Sequence, residues 1–197
     1  MEYSHEKFWK NFEIVFNAKL PVKEAWNKII DYPESVKPKE YWATIRAFNV
    51  EQEQLEIKDW MEQIVTNTPI LNTTIALWIG ISKLWDDETE KEFYAIYLQG
   101  SKKYDVRDTE WIEFPNYEPE NNYGIIRILN LMDEIIKADK EDYAFLDWVL
   151  PVAYLALSID EIIRTKLDKT KFLKARNKLF VTTGFDEGDF VNLTDIA

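Results

Sequence analysis

From Asp142 to about Leu167 the chain reads as one long helical run. In its middle, from Val149 through Tyr154 to Leu157, apolar residues fall on every side. A helix without a polar face has to be covered all round, so the remaining elements must wrap it. Pro151 predicts a kink there, or a break into two shorter helices, because proline lacks the N–H that a helix interior needs. The most apolar window, Leu146 to Ile163, carries Asp147, Asp160 and Glu161. It is too short and too interrupted to cross a bilayer.

Other segments supply that cover. Between 7 and 18 the alternation of Phe12, Ile14 and Phe16 with Glu13, Val15 and Asn17 fits a strand or the start of a helix, and favours extended structure. Pro21 suits the first position of a helix over Val22 to Asp31, with Ala25, Trp26, Ile29 and Ile30 on one face. Tyr32-Pro33 is expected to stop it, and Pro38 to keep the next stretch irregular. Glu51 to Thr66 reads as a helix with an apolar stripe of Leu55, Ile57, Trp60, Met61, Ile64 and Val65, and with its glutamates facing water.

Ile75 to Trp85 and Phe93 to Leu98 are rich in β-branched and aromatic residues and flank the wholly polar Asp86 to Glu92, the pattern of an antiparallel hairpin. Gly80 marks a bulge or a close approach in the first strand. Gly100 to Asn122, with Pro115 and Pro119, is a long loop, and long structured loops often carry function. Tyr123 to Ala138 returns to helical spacing. Leu179 to Phe185 and Phe190 to Leu193 flank Asp186-Glu187-Gly188-Asp189, a second hairpin with its turn. The predicted fold class is α+β, a single domain over 1–197. Several helices pack on an antiparallel sheet with hairpins near 75–98 and 179–193.

Of the net charge of −12, the stretch from Glu51 to Asn122 holds −10, with 16 acidic and 6 basic residues. Trp60, Trp78, Trp85, Tyr97, Trp111 and Tyr117 are among the aromatics threaded through it. Charge concentrated in this way favours a basic partner over a tighter fold. Against it stands a run of Lys166, Lys169, Lys171, Lys174, Arg176 and Lys178. That run fits a solvated helix helped by its macrodipole, a surface docking on the acidic stretch of the same or another copy, or a nucleic-acid surface. The overall negative charge opposes the last.

Reaction chemistry is hard to find. There is no cysteine, so disulfides, thiolate metal sites and cysteine nucleophiles are excluded. The single histidine, His5, lies where fraying is expected, leaving neither a Ser-His-Asp triad nor a histidine zinc site. Phosphate-cradling glycine motifs are missing. Asp86 to Glu88, or Asp105 with Asp108, could hold a hard cation. The better reading is a solvated hairpin tip and a turn, and neither a metal nor a cofactor is expected. Paired carboxylates beside tryptophans leave a carboxylate-dependent hydrolase, glycosidase-like or metal-assisted, as the rival class. An adaptor or homodimer joined between acidic and basic faces is the third.

Several segments form a further pattern: Ala76-Leu77-Trp78-Ile79-Gly80-Ile81, Tyr97 to Asp105, Asp108-Thr109-Glu110-Trp111, Tyr117-Glu118-Pro119 and Gly184 to Asp189. In this the chain resembles small bacterial immunity proteins of contact-dependent or polymorphic toxin systems. The resemblance implies neutralisation of a cognate toxin by direct binding, with no catalytic residue to carry over. The N-terminal Met1 to Lys7 lacks a leader layout, so a cytoplasmic protein is expected, with a basic protein partner and with no nucleic acid or membrane. In that reading Asp86, Asp87, Glu88, Asp105, Asp108 and Glu110 steer the partner while Trp111 and Tyr117 anchor it. Alternatively, Trp111 and Phe114 pin the loop to the core.

Overall fold

The structure, a computed structural model, describes residues 2–174 and 176–197. Met1, at the head of the segment that lacks a leader layout, and Ala175, within the basic run, lie outside them. In chain order the elements are α1 (His5–Asn17), α2 (Val22–Val36), α3 (Tyr41–Arg46), α4 (Val50–Asn67), β1 (Ala76–Asp86), β2 (Lys91–Ser101), a 3-10 turn (Glu110–Glu113), β3 (Tyr123–Ile125), α5 (Arg127–Ile136), α6 (Tyr143–Glu161), a π turn (Ile162–Lys166), α7 (Lys169–Leu173), β4 (Phe180–Phe185) and β5 (Phe190–Asn192).

The apolar helix is α6, and it is wrapped as its composition requires: α1, α2, α4, α5, β4 and β5 all pack on it. Every residue from Leu150 to Asp160 is buried. It runs unbroken through Pro151, so of the kink or break expected there, the break does not occur. Among the described residues no helix is long and apolar enough to cross a membrane.

The sheet has the order β3-β2-β1-β4-β5. Both expected hairpins form: β1 pairs with β2 from Ala76↔Ser101 to Asp86↔Lys91, and β4 pairs with β5. They meet in parallel, however, with Gly80 opposite Gly184, so the sheet is mixed where an antiparallel one was expected. The reason is the return path. After β3 the chain crosses through α5 and α6 before β4 begins, and parallel strands need such a crossover. The fold is a single α+β domain.

Four local expectations are corrected. Residues 7–17 lie in helix α1, not in a strand, and Ala18 is its C-cap: Phe8, Phe12 and Val15 are buried at helical spacing, while Ile14 is 63% exposed. The Ser4 hydroxyl caps that helix by accepting from the Lys7 N–H. Helix α2 continues past Tyr32-Pro33 to Val36, since a proline in the last turn forfeits only one helical bond. Its first N–H, on Val22, donates to Glu161 at 2.7 Å, and Pro21 stands outside as the cap residue. Tyr123 to Ile125 is the edge strand β3, with the helix starting only at Arg127. The short helix α3 was not foreseen.

Helix α4 forms as expected, but its faces differ. Leu55 is exposed, whereas Glu53, Gln54 and Glu62 are buried. Glu53 accepts from the Arg127 N–H at 2.6 Å at the start of α5. Glu62 accepts from Lys171 at 2.7 Å, from the Asp168 N–H at 3.0 Å, and pairs with Lys58 at 3.0 Å. Part of the basic run therefore docks on the acidic stretch of its own chain. Lys178 pairs with Asp195, and Arg176 donates to the Ile70 and Leu71 carbonyls.

Burial alone would raise the Glu62 carboxyl, but Lys171, the Asp168 N–H and Lys58 outweigh it and hold it at about 2. A depressed carboxyl stabilises the fold above its unfolded value and loses that contribution as pH falls through its folded value. Glu62→Gln should therefore cost about 1–2 kcal/mol at pH 7. Urea unfolding of both proteins should show the difference narrowing between about pH 5 and pH 2.

Candidate functional site

Strand alternation sorts the sheet into two faces. Leu77, Ile79, Ile81, Tyr94, Ile96 and Leu98 face the helices and join the main core. The opposite face carries Trp78, Gly80, Ser82, Tyr97, Gln99, Tyr123 and Ile125, with Gly184 on β4 and Phe190 on β5. The long loop after β2 covers one end of that outer face. Its Trp111 and Ile112 pack with Ala76 and Trp78 as a second, smaller core. Tyr104 stacks on Phe180 at 4.2 Å, and Gln99 Nε2 donates to the Ile112 carbonyl at 3.0 Å. Main-chain bonds between Gly100 and Tyr117 close the loop, whose Tyr117 hydroxyl donates to the Thr68 carbonyl.

This arrangement corrects the expected anchors. Trp111 is 5% and Tyr117 3% exposed, so both are spent on holding the loop to the body. Trp111 does pin the loop. Phe114 does not, since it is 68% exposed and leaves a large ring free on the acidic segment. The expected steering residues divide into two groups. Asp105, Asp108 and Glu110 are exposed on the loop, where Asp105 and Asp108 also accept the N–H groups of Arg107 and Glu110. Asp87 and Glu88 are exposed at the hairpin tip. Asp86 shapes that tip, accepting from the Thr89 hydroxyl and the Glu88 N–H, which keep its carboxyl below the usual range.

The two groups do not merge. Ile112 is bonded at Gln99, opposite Trp78, and Asp86 lies eight residues further along β1. At the usual strand rise the separation is on the order of 25 Å.

A site does assemble in the uncovered middle of the outer face. Tyr97 lies across Gly80, its phenol end where a Cβ would stand: a methyl there would be 2.2 Å from Tyr97 Cε1 and 2.6 Å from Trp78 Nε1. Trp78, wholly buried, donates from Nε1 to the Tyr97 hydroxyl at 3.0 Å and to Asp186 Oδ1 at 3.3 Å. The Tyr97 hydroxyl donates in turn to the same Asp186 oxygen. Burial and the neighbouring Asp186 carboxylate push the Tyr97 phenol well up, so it remains a donor.

Two concavities, of about 640 and 560 Å³, adjoin over Tyr97, Gln99 and Asp186. Around them stand Asp108, Glu110, Glu113 and Glu187 on one side and Glu118 and Glu120 on the other, with Arg107 the one cation in the lining of the two. The sequence marks Tyr97 only as one of the threaded aromatics and Asp186 and Glu187 only as part of a hairpin turn; neither they nor the glutamates at 113, 118 and 120 are among the expected partner-binding residues. The glycine at position 80 was the local hint, and its role is a close approach without a bulge.

Gly80→Ala should drive Tyr97 off the sheet and break its bond to Asp186, at a cost of about 1–3 kcal/mol. The Trp78 indole N–H resonance reports the loss. An unchanged resonance would contradict the contact.

A third concavity of about 570 Å³ leads from Asp186 to Lys83, Asp147 and Tyr94. Lys83 Nζ donates to both Asp147 oxygens, at 2.9 and 2.8 Å, to Asp133 at 3.2 Å and to the Tyr143 hydroxyl at 2.8 Å. Burial would lower its pKa, but Asp147, Tyr143 and Asp133 raise it well above the ordinary lysine value. Held as an ammonium, it has no lone pair for nucleophilic or general-base work. His5 is equally committed, because its ring stacks on Trp148 at 4.4 Å and its Nε2 meets Asp189 at 2.6 Å. It lies in α1 and not in a frayed end.

No family model matches this chain, nor does a curated protein or a solved structure. Among the described residues no three His, Asp or Glu side chains converge as a metal-binding group. The outer face thus offers shaped concavities, many hydrogen-bond acceptors and strong negative charge. Those are the means of binding a cation.

Proposed function

We propose that this chain is a non-enzymatic protein-binding module that receives a basic protein on the uncovered outer face of its sheet. One observation carries the reading: seven carboxylates and a single arginine line two adjoining concavities floored by Tyr97 and Gln99. A negative rim around a partly apolar floor speeds encounter with a positive partner and rejects negative ones. Phe114, 68% exposed and next in the chain to the rim residue Glu113, is an exposed aromatic that can bury itself in the partner. The immunity role that the resemblance implies is the specific form proposed, with the partner a basic toxin domain and inhibition resulting from occlusion.

The experiment is co-expression with the product of each neighbouring gene, followed by binding kinetics at low and high salt for any product that the chain protects against. The variant Asp108→Asn/Glu110→Gln/Glu118→Gln/Glu120→Gln should slow association about tenfold at low salt and flatten the salt dependence. Asp87→Asn/Glu88→Gln, at the distant hairpin tip, should leave both unchanged. Equal effects of the two variants would sink the outer face as the docking surface. Absence of any protected-against product would sink the immunity role.

A further inference from the structure

Asp186 differs from the other carboxylates of the rim. Exposed at the turn between β4 and β5, it lines each of the three concavities, and it is the one rim acid held by a buried indole and a phenol. Both of those donors converge on Oδ1. Oδ2 takes no protein hydrogen bond among the described residues, so an oriented acceptor faces the open space. A carboxylate held in place loses little freedom on binding, which is where preorganised sites gain affinity.

Gln99 shares two of these concavities and is oriented in a complementary way. Its Nε2 is spent on the Ile112 carbonyl, leaving Oε1 to accept. The nearby donors, Trp78 Nε1 and the Tyr97 hydroxyl, are already occupied. Apart from Arg107 and the hydroxyls of Ser82, Tyr97, Thr109 and Tyr123, the polar side chains of the lining are carboxylate and amide acceptors in a negative field, and the ligand that suits them brings several donors in one plane. A guanidinium has five N–H donors in a fixed fork, whereas an ammonium is a compact and more strongly hydrated point charge.

We infer that Asp186, together with Gln99 in the lining of two of the same concavities, forms a subsite for an arginine side chain of the partner. The subsite deepens the binding role proposed above and rests on it. Trp78 and Tyr97 are positioning residues, acting through Asp186.

The test uses three blocked tripeptides, acetyl-Gly-X-Gly-amide with X arginine, lysine or citrulline, titrated into the full chain while the Trp78 indole N–H resonance is followed. Arginine should give a saturable shift, with lysine binding about tenfold more weakly and neutral citrulline giving no saturation. Asp186→Asn should weaken the arginine peptide about tenfold, and Tyr97→Phe, which frees the carboxylate to rotate, a few-fold. Glu88→Gln should have no effect. Equal binding of arginine and lysine, binding of citrulline, or an unchanged affinity in Asp186→Asn overturns the subsite. Such a failure, with salt-dependent binding of the basic partner intact, removes the arginine assignment and leaves the docking face standing. Loss of the rim-variant effect on the partner removes the docking face itself.

Discussion

Lys83→Met should destabilise the protein by about 2–4 kcal/mol at neutral pH, although it replaces a charged side chain with an apolar one of similar length. Lys83 binds Asp133 on α5 and Asp147 on α6 from its place on β1, and the Tyr94 hydroxyl donates to the same Asp147 at 2.6 Å. Removing the ammonium leaves Asp147 without its ion pair in a mostly buried place. Asp133 keeps only Lys137, at 2.6 Å, and the Tyr143 hydroxyl. Breaking one side of a shielded pair costs more than the pair is worth, because the remaining charge stays desolvated.

The pH dependence has a definite sign. Burial would raise the Asp133 carboxyl, but Lys137, Tyr143 and Lys83 lower it, so its contribution is present above the unfolded value and fades as pH falls through the folded one. The gap between wild type and Lys83→Met, measured by urea unfolding, should therefore narrow in acid. Adding Asp147→Asn to Lys83→Met should recover part of the loss. A variant as stable as wild type at pH 7 would mean that the network carries no net stability.

Trp26→Ala is expected to cost about 3–5 kcal/mol through the cavity it leaves. Trp26 is wholly buried, meets the Tyr154 ring edge-on with centroids 5.4 Å apart, and donates from Nε1 to the Ile45 carbonyl at 3.3 Å. It therefore joins α2 to α3 and to the central helix α6. Thermal unfolding should show a fall of roughly 10 °C for a chain of this size, and Trp26→Phe should recover much of it. A fall of a degree or two would show that the surrounding helices close over the gap.

These two residues also mark what could be read ahead of the structure. Trp26 was placed on the buried face of its helix by spacing alone, because a helix repeats every 3.6 residues and the neighbours that decide its face are three and four positions away. The two hairpins were legible for the same reason, since alternation and turn chemistry are local. Residues 7–18 show the limit: both periods fit the same aromatics, and only the packing of Phe8, Phe12 and Val15 against the body selected the helix. The buried Glu53 and Glu62 show another, since a glutamate is placed inside only when something distant pairs with it.

Local pattern along the chain is enough to show that an all-apolar helix must be wrapped, that two hairpins flank it in the chain, that negative charge gathers in one stretch, and that thiol and histidine-metal chemistry are missing. How these parts meet was settled only by the packing of distant segments. It joined the hairpins in parallel, buried Trp111 and Tyr117, and separated the hairpin-tip acids from those of the loop. It also brought Lys83 to residues 50 and 64 positions away, and Tyr97 to Asp186, 89 positions away. The physical reason is range. Periodicity and turns are settled by neighbours along the chain, whereas an ion network or an oriented carboxylate is settled by whichever distant residues the packed layers place within hydrogen-bond distance.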